Sequence, residues 1–552
     1  MTDRATVAYR WAWTLVDALA SAGVGRVIAS PGARSTPLTL AALRHPGLTT
    51  HMVVDERAAA FFALGAAKAE GRPAVVVATS GSAVANWLPA VVEADAARVP
   101  MILLSADRPP ELHDCGANQT MEQTELFGRR VRAVHRLPPP EEDADWLVGL
   151  AGRIVATACG PLPGPVQVNV PFREPLVPGR TEPVLRRSPP RIVRAAPSAP
   201  PADAEVVARL SRGGRTAIVC GCEALDPTTI AAIDRLATRA GLPVLADVTS
   251  GIRLGATADL VLAHPDRVAR RAAPADLVLR FGGQPISKAI GAWMGRGRPD
   301  GHVSVSATPR VSDPDGLASD LVFCDPAALC DLLEPAAPDH VWVDTLRALD
   351  RDAAAAAAAT CAEETPFEGS ILRRLIASLP ASTALVLGNS LTVRSADWFG
   401  GRGRERLSVF CNRGLSGIDG TVATACGVAA AAGPTVVVSG DLAFLHDVGS
   451  LAVAVDLPLV VVVLDNDGGG IFDHLPQSGL DEFERGWRTP IRFDAAAIAT
   501  GFGVAFVRVE ATSAIGPVVT DALARGGATV VHVPLDRTFA LKRGRSFLTD
   551  ES

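Results

Sequence analysis

Two stretches in the last third of the chain decide its fold: Thr435-Val436-Val437-Val438-Ser439-Gly440-Asp441-Leu442 and Leu459-Val460-Val461-Val462-Val463-Leu464-Asp465-Asn466-Asp467-Gly468-Gly469. Each is a short apolar run rich in β-branched residues that stops abruptly at glycine and acid. Such runs read as strands buried on both faces, which is the habit of parallel sheets, and ligands settle at the carboxyl ends of those strands. The pair therefore delivers a carboxylate, an amide side chain and flexible backbone to one crevice. A hard divalent cation takes oxygen ligands in octahedral array and keeps company with phosphate oxygens. Asp441, the Asn466 side chain and the Gly468 carbonyl would supply three such ligands, and the glycines let backbone come close to a diphosphate. Either stretch alone is ordinary turn chemistry. Together, with one helix and one strand between Asp441 and Asn466, they are specific.

The same alternation of apolar strand and alanine-rich helix extends outward from this pair. Strands are expected at Arg26–Ser30, Ala74–Thr79 and Met101–Ser105, then at Thr216–Cys220, Pro243–Ala246, Asp276–Phe281 and His302–Ser306, and again at Ala384–Leu387 and Thr529–Val533. Ala423 to Gly440 is interrupted by Pro434 and glycines, so it reads as helix, turn and buried strand, not as a membrane span. A Pro/Arg-rich stretch from Pro175 to about Pro201 has linker composition, and a second boundary falls between Asp350 and Pro366, where the run Ala353 to Ala359 is helical by propensity. The expected organisation is three consecutive parallel-sheet α/β domains, at 1–185, 195–345 and 360–552.

Bulk properties exclude several classes. With 48% hydrophobic and 20% charged residues the chain is globular, and a net charge of −6 offers no footprint for nucleic acid. Asp3, Arg4, Arg10 and Asp17 interrupt any apolar leader at the N-terminus. Nine cysteines without a framework of spacings point to a reducing cytoplasm. Cys220-Gly221-Cys222 lacks further ligands nearby and reads as strand and turn. No G-x-G-x-x-G follows a strand with an acid beyond it, which disfavours a flavin or nicotinamide enzyme.

The Gly440-Asp441 to Asn466 arrangement resembles the thiamine diphosphate motif, and the resemblance implies magnesium, with manganese as the alternative metal. Enzymes of this type use a glutamate that hydrogen-bonds the aminopyrimidine ring and promotes deprotonation of the thiazolium carbon. Glu56, in Val53-Val54-Asp55-Glu56-Arg57-Ala58, stands where that glutamate is expected, and Thr79-Ser80-Gly81-Ser82 with Asn86 resembles the turn that contacts the cofactor. Gly440, Leu442, Gly469 and Ile471 belong to the same motif.

Further segments are similar to one family, the menaquinone-pathway synthases that make 2-succinyl-5-enolpyruvyl-6-hydroxy-3-cyclohexene-1-carboxylate. They are Ser30 to Leu38, Asp55-Glu56-Arg57, Ser105 to Leu112, Asp114 to Gln119, Gly388 to Arg394, Asn412 to Gly420 and Asp467 to Phe472. Lys288 is the main match in the middle third. The resemblance implies decarboxylation of 2-oxoglutarate and 1,4-addition of the succinyl carbanion to isochorismate. Both substrates are dicarboxylates, which guanidinium groups bind in bidentate geometry. By analogy Arg394 and Arg413 hold the 2-oxoglutarate side, while Arg34, Gln119 and Lys288, with Asn118 and Phe472, address isochorismate. Asn389, Ser390 and Ser416 lie near the diphosphate or substrate, and Ile418 props the bent cofactor. Ala33, Ala289, Asp465 and Asp467 depart from the family pattern. The first two remove a hydroxyl and a cation, and the aspartates add negative charge near the diphosphate. Another thiamine-dependent 2-oxo acid decarboxylase or carboligase, and a non-catalytic thiamine-binding scaffold, are the rival readings; Glu56 argues against the scaffold. Because Glu56 and Asp441 belong to different domains, the resemblance also implies a homodimer or dimer of dimers with shared active sites.

Overall fold

A computed structural model describes residues 3–179, 207–208, 213–255, 259–297, 301–403 and 407–549. Most of the linker expected from Pro175 to Pro201 lies outside them. Among the described residues seventeen strands form three sheets, and every pairing within them is parallel. In the first sheet the order is Thr49–Met52, Arg26–Ala29, Ala74–Ala78, Met101–Asp107, Pro165–Pro171, Ala133–Arg136. In the second it is Asp320–Phe323, His302–Ser306, Leu277–Phe281, Thr216–Cys220, Val244–Ala246. The third runs Ser408–Phe410, Ala384–Leu387, Thr435–Gly440, Leu459–Asp465, Thr529–Pro534, Ala505–Arg508. Consecutive strands lying side by side in parallel require a crossover, and helices on both faces supply it. Ala423 to Gly440 is the helix Thr421–Ala432, a turn at Gly433-Pro434 and the strand Thr435–Gly440, as its composition required. The alanine run lies inside a longer helix, His340–Thr360.

The chain forms two compact units. The first comprises Met1–Arg194, Gly414–Gly433 and His446–Leu457. It holds the first sheet, with Val27, Val75, Ile102, Leu104 and Val168 in its core. Helix Glu56–Glu70 packs along helix Thr421–Ala432 in this unit, and the two backbones come very close. A Cβ on Gly65 would lie 2.0 Å from the Thr424 carbonyl, and one on Gly427 would lie 2.0 Å from that of Phe62. Only glycine permits that approach. Asp447, fully buried, accepts from Ala423 N–H at 2.8 Å and meets Arg57 at 3.6 Å.

The second unit comprises Ala195–Arg413, Pro434–Leu445 and Pro458–Ser552 and carries the other two sheets. Its largest core lies against the third sheet, where Leu385, Val436, Val438, Val460 and Val462 meet Ile371, Leu375 and Val519. Arg253 and Asp397, both inaccessible, pair there at 3.0 Å. Among the described residues no helix is long and apolar enough to cross a membrane, and all nine cysteines are free.

Candidate active site

At the carboxyl edge of the third sheet two strand ends meet as their sequence implied. The strand Thr435–Gly440 runs directly into the short helix Asp441–His446, so Asp441 sits on a first turn, 2% exposed. Its Oδ2 accepts the Gly468 N–H at 2.5 Å and its Oδ1 the Leu442 N–H at 2.8 Å. Burial outweighs both bonds and pushes the carboxyl up to about 7. A carboxylate so placed calls for a positive partner. Gly468 has φ +112°, and its carbonyl accepts from Gly470 N–H at 2.8 Å while keeping a second lone pair. A Cβ there would strike the Arg488 carbonyl at 2.2 Å, so these glycines fit against the segment Trp487–Arg488 as well as freeing the turn. Asn466 is buried two residues away. Carboxylate, amide and main-chain oxygens form a hard donor set, and the residues present fit a divalent cation held against a diphosphate.

Ile471 and Phe472, both half-buried, occupy the 3-10 turn Gly470–His474 just beyond. The added charge of Asp465 is met by His532 from the neighbouring strand, Nε2 to Oδ2 at 2.8 Å. Asp467 is exposed.

A second group of expected residues assembles where strand Ala384–Leu387 ends. Asn389 donates to the Asn412 carbonyl at 2.8 Å and accepts from Arg413 Nη1 at 2.8 Å. Ser390, at φ +67°, precedes helix Leu391–Phe399, and Arg394 one turn along donates to its carbonyl at 2.8 Å. Burial lowers the Arg394 pKa, and the Arg413 charge lowers it further. Two guanidinium groups that feel each other in a partly buried place suit an anionic ligand. Lys288 is exposed at the start of helix Lys288–Gly295, which Ser287 caps by accepting Ile290 N–H at 3.1 Å.

In the first unit the turns after three strands of the first sheet gather another set. Arg34 N–H donates to Thr79 Oγ1 at 3.3 Å, and its guanidinium donates to the Phe172 carbonyl at 2.7 Å and to Glu174 at 2.9 Å. Gln119, at φ +58°, donates from its side chain to the Ser80 carbonyl at 2.8 Å and accepts the Ser80 hydroxyl at 2.8 Å. Asn86 and Asn118 are exposed. Asp55 caps the helix Glu56–Glu70 by accepting the N–H groups of Arg57 and Ala58, which makes half-buried Glu56 its first residue. Ser416 (φ +63°) and Ile418 (37% exposed) stand on the segment after Gly414. That segment is anchored by buried Glu93, which accepts from Gly414 N–H at 2.9 Å and Leu415 N–H at 2.7 Å.

Sequence reasoning missed Glu93, and it missed Glu368 and Arg488, which flank Asn466. Each acts through a partner remote in the chain, and no spacing rule links such residues.

This architecture defines a thiamine diphosphate-dependent enzyme. Family models match it in three consecutive blocks: the thiamine pyrophosphate enzyme N-terminal TPP binding domain at residues 10–126, the middle domain of thiamine pyrophosphate at 197–387, and the C-terminal TPP binding domain at 400–533. Proteins named 2-succinyl-5-enolpyruvyl-6-hydroxy-3-cyclohexene-1-carboxylate synthase match it along nearly all of its length. The one from Dechloromonas aromatica is 38% identical over 97% of this chain and 99% of its own. That of Geobacillus kaustophilus is 41% identical over 96% and 95%, respectively. The chain belongs to this synthase family.

Proposed function

We propose that the protein decarboxylates 2-oxoglutarate and adds the succinyl fragment to isochorismate, giving 2-succinyl-5-enolpyruvyl-6-hydroxy-3-cyclohexene-1-carboxylate and carbon dioxide. It is a thiamine diphosphate-dependent transferase of menaquinone biosynthesis. The observation that carries the reading is the convergence of Asp441 and Gly468 beside buried Asn466 at one strand edge. Thiamine diphosphate, when bound, supplies a nucleophilic carbon and an electron sink for decarboxylation.

The chain's own residues do the rest. Asp441, Asn466 and Gly468 hold the divalent metal that neutralises the diphosphate, magnesium by preference for hard oxygen donors. Glu56, on the first domain, would hold the aminopyrimidine ring and exchange a proton with it, and Thr79 and Asn86 would help to hold the same ring. Asn389, Ser390, Ser416, Ile418, Gly440, Leu442, Gly469 and Ile471 would hold the cofactor. Arg394 and Arg413 bind the carboxylates of 2-oxoglutarate. Arg34, Gln119 and Lys288, with Asn118 and Phe472, orient isochorismate. Arg34 now leans on Glu174, whose side chain is 74% exposed, so a substrate carboxylate can take that acceptor's place. The domain from 1–185 brings the pyrimidine side and the domain from 360–552 the diphosphate side; 195–345 is the middle domain of the chain. The working form is a homodimer, or a dimer of such dimers, with shared active sites. Nine free cysteines suit a reducing cytoplasm.

The test is 2-oxoglutarate consumption by the purified protein with thiamine diphosphate and magnesium, with and without isochorismate. Isochorismate-dependent release of carbon dioxide with a succinylated product is expected. Cofactor binding without that turnover would remove the substrate assignment and leave the metal site.

A further inference from the structure

Asn466 can serve a cation only through its Oδ1, because the other end of its amide is a donor. Which end faces the metal is set by what the nitrogen touches. Here Nδ2 donates to Glu368 Oε1 at 2.7 Å. Glu368 opens the helix Glu368–Ser378 and is 6% exposed, so solvent does not compete for the bond. Glu368 Oε1 accepts from the NH2 end, which leaves Oδ1 on the opposite side of the amide. The main chain of the same residue is held separately. Arg488, fully buried, donates to the Asn466 carbonyl oxygen, and its position is fixed by Asp473 at 3.3 Å, which also pairs with Arg537 at 2.9 Å. Arg488 Nη1 also reaches Asn466 Oδ1 at 3.5 Å, which leaves that oxygen a second lone pair, so Asn466 is held at its amide nitrogen by an acid and at its backbone and amide oxygen by a base.

We infer that Glu368 is a positioning residue for the metal centre: it fixes the Asn466 amide with Oδ1 presented to the divalent cation, while Arg488 holds the backbone from which that amide projects. The inference rests on reading Asp441, Asn466 and Gly468 as the metal ligands. Outer partners that orient a ligand typically change metal affinity 10- to 100-fold when removed.

The test uses the full-length protein and reads the magnesium concentration that gives half-maximal thiamine diphosphate binding in equilibrium dialysis. Glu368→Ala should raise that concentration by about 10- to 100-fold. Glu368→Gln keeps an acceptor oxygen but can also offer its own NH2, so a smaller rise, under about tenfold, is expected. The melting midpoint of the metal-free, cofactor-free protein reports folding separately; if Glu368→Ala fails to fold, Glu368→Gln carries the comparison. Each change is repeated in an Asn466→Ala background, where a positioning role predicts no additional rise. An equal rise in both backgrounds would mean that Glu368 merely supports the fold, and the inference would be overturned. It would also be overturned if both Glu368 variants stayed within about twofold of the parent while Asn466→Ala did not. If Asn466→Ala itself left magnesium dependence unchanged, the ligand assignment would fall, and this inference with it.

Discussion

Glu56 owes its place to its neighbour: Asp55 accepts the N–H groups of Arg57 and Ala58, so the Glu56 side chain projects from the capped first turn. Glu56→Gln preserves that cap and nearly all the volume while removing the ionisable oxygen. Cofactor binding should persist, and carbon dioxide release should fall at least roughly a hundredfold, the scale of a general acid–base group. Retained turnover would show that the proton moves elsewhere. Arg413 is a second single-residue test. Its Nη1 sits 2.8 Å from Asn389 Oδ1, so Arg413→Glu puts a negative charge where a substrate carboxylate is expected. Loss of a charged hydrogen bond costs about 1.5–3 kcal/mol, so KM for 2-oxoglutarate should rise roughly tenfold or more. An unchanged KM would point to a different oxo acid. Both residues were singled out because the segments around them resemble family motifs that can be read in the order of residues. Glu368 and Arg488 were not. A buried acid remote from the amide it orients leaves no periodic trace, and Arg488 looks in sequence like one more solvated cation.

Among the elements, most inner strands were legible, and of the edge strands only Val244–Ala246 was. Thr216–Cys220 and Ala384–Leu387 are buried at every position, so they appear as unbroken apolar runs. The edge strands Thr49–Met52 and Asp320–Phe323 alternate or face solvent, and their composition resembles loop. Pro165–Pro171 was missed for another reason: it is fully buried yet carries Gln167 and Asn169. Inside the sheet Gln167 donates to Ser105 Oγ at 3.2 Å, and Asn169 accepts from Ser105 Oγ at 2.8 Å. The loop after Arg413 depends on a similar hidden bond. Helix Leu88–Ala97 carries Glu93, 3% exposed, whose two oxygens each accept one loop N–H. Glu93→Gln would turn one acceptor into a donor facing a buried N–H, at a cost of about 1–3 kcal/mol. The expected outcome is a lower denaturant midpoint together with a KM for 2-oxoglutarate that rises more than kcat falls, since Arg413 immediately precedes this loop. A loss confined to stability would separate Glu93 from the substrate.

At the scale of the molecule, acid sensitivity follows from what is buried, and the proposed self-association can be tested on what is left bare. His264 is 2% exposed; its Nδ1 donates to the Trp398 carbonyl at 2.8 Å, and burial lowers its pKa from 6.5 to about 4. In that window the unfolded chain binds a proton that the native chain refuses, so stability is full above about 6.5 and falls as pH drops toward 4. His264→Gln keeps a donor for the carbonyl but cannot titrate. Denaturant midpoints at pH 7 and pH 4.5 should therefore differ less in the variant than in the parent, and an equal difference would exonerate this histidine. The bare side is the first unit, where Met52 and Val54 are 41% and 80% exposed just before Glu56, and Leu415 and Ile418 are 58% and 37% exposed around Ser416. Apolar side chains this exposed beside functional residues are what an oligomer interface covers. Val54→Glu costs a lone subunit little, because the side chain already faces water, but it would bury a charge in a pairing surface. Sedimentation at micromolar concentration with cofactor should show the parent as at least a dimer and the variant shifted toward monomer, with activity falling in step. A parent that sediments as a fully active monomer would rule out the shared site. A variant that stays dimeric and active would place the contact away from Val54.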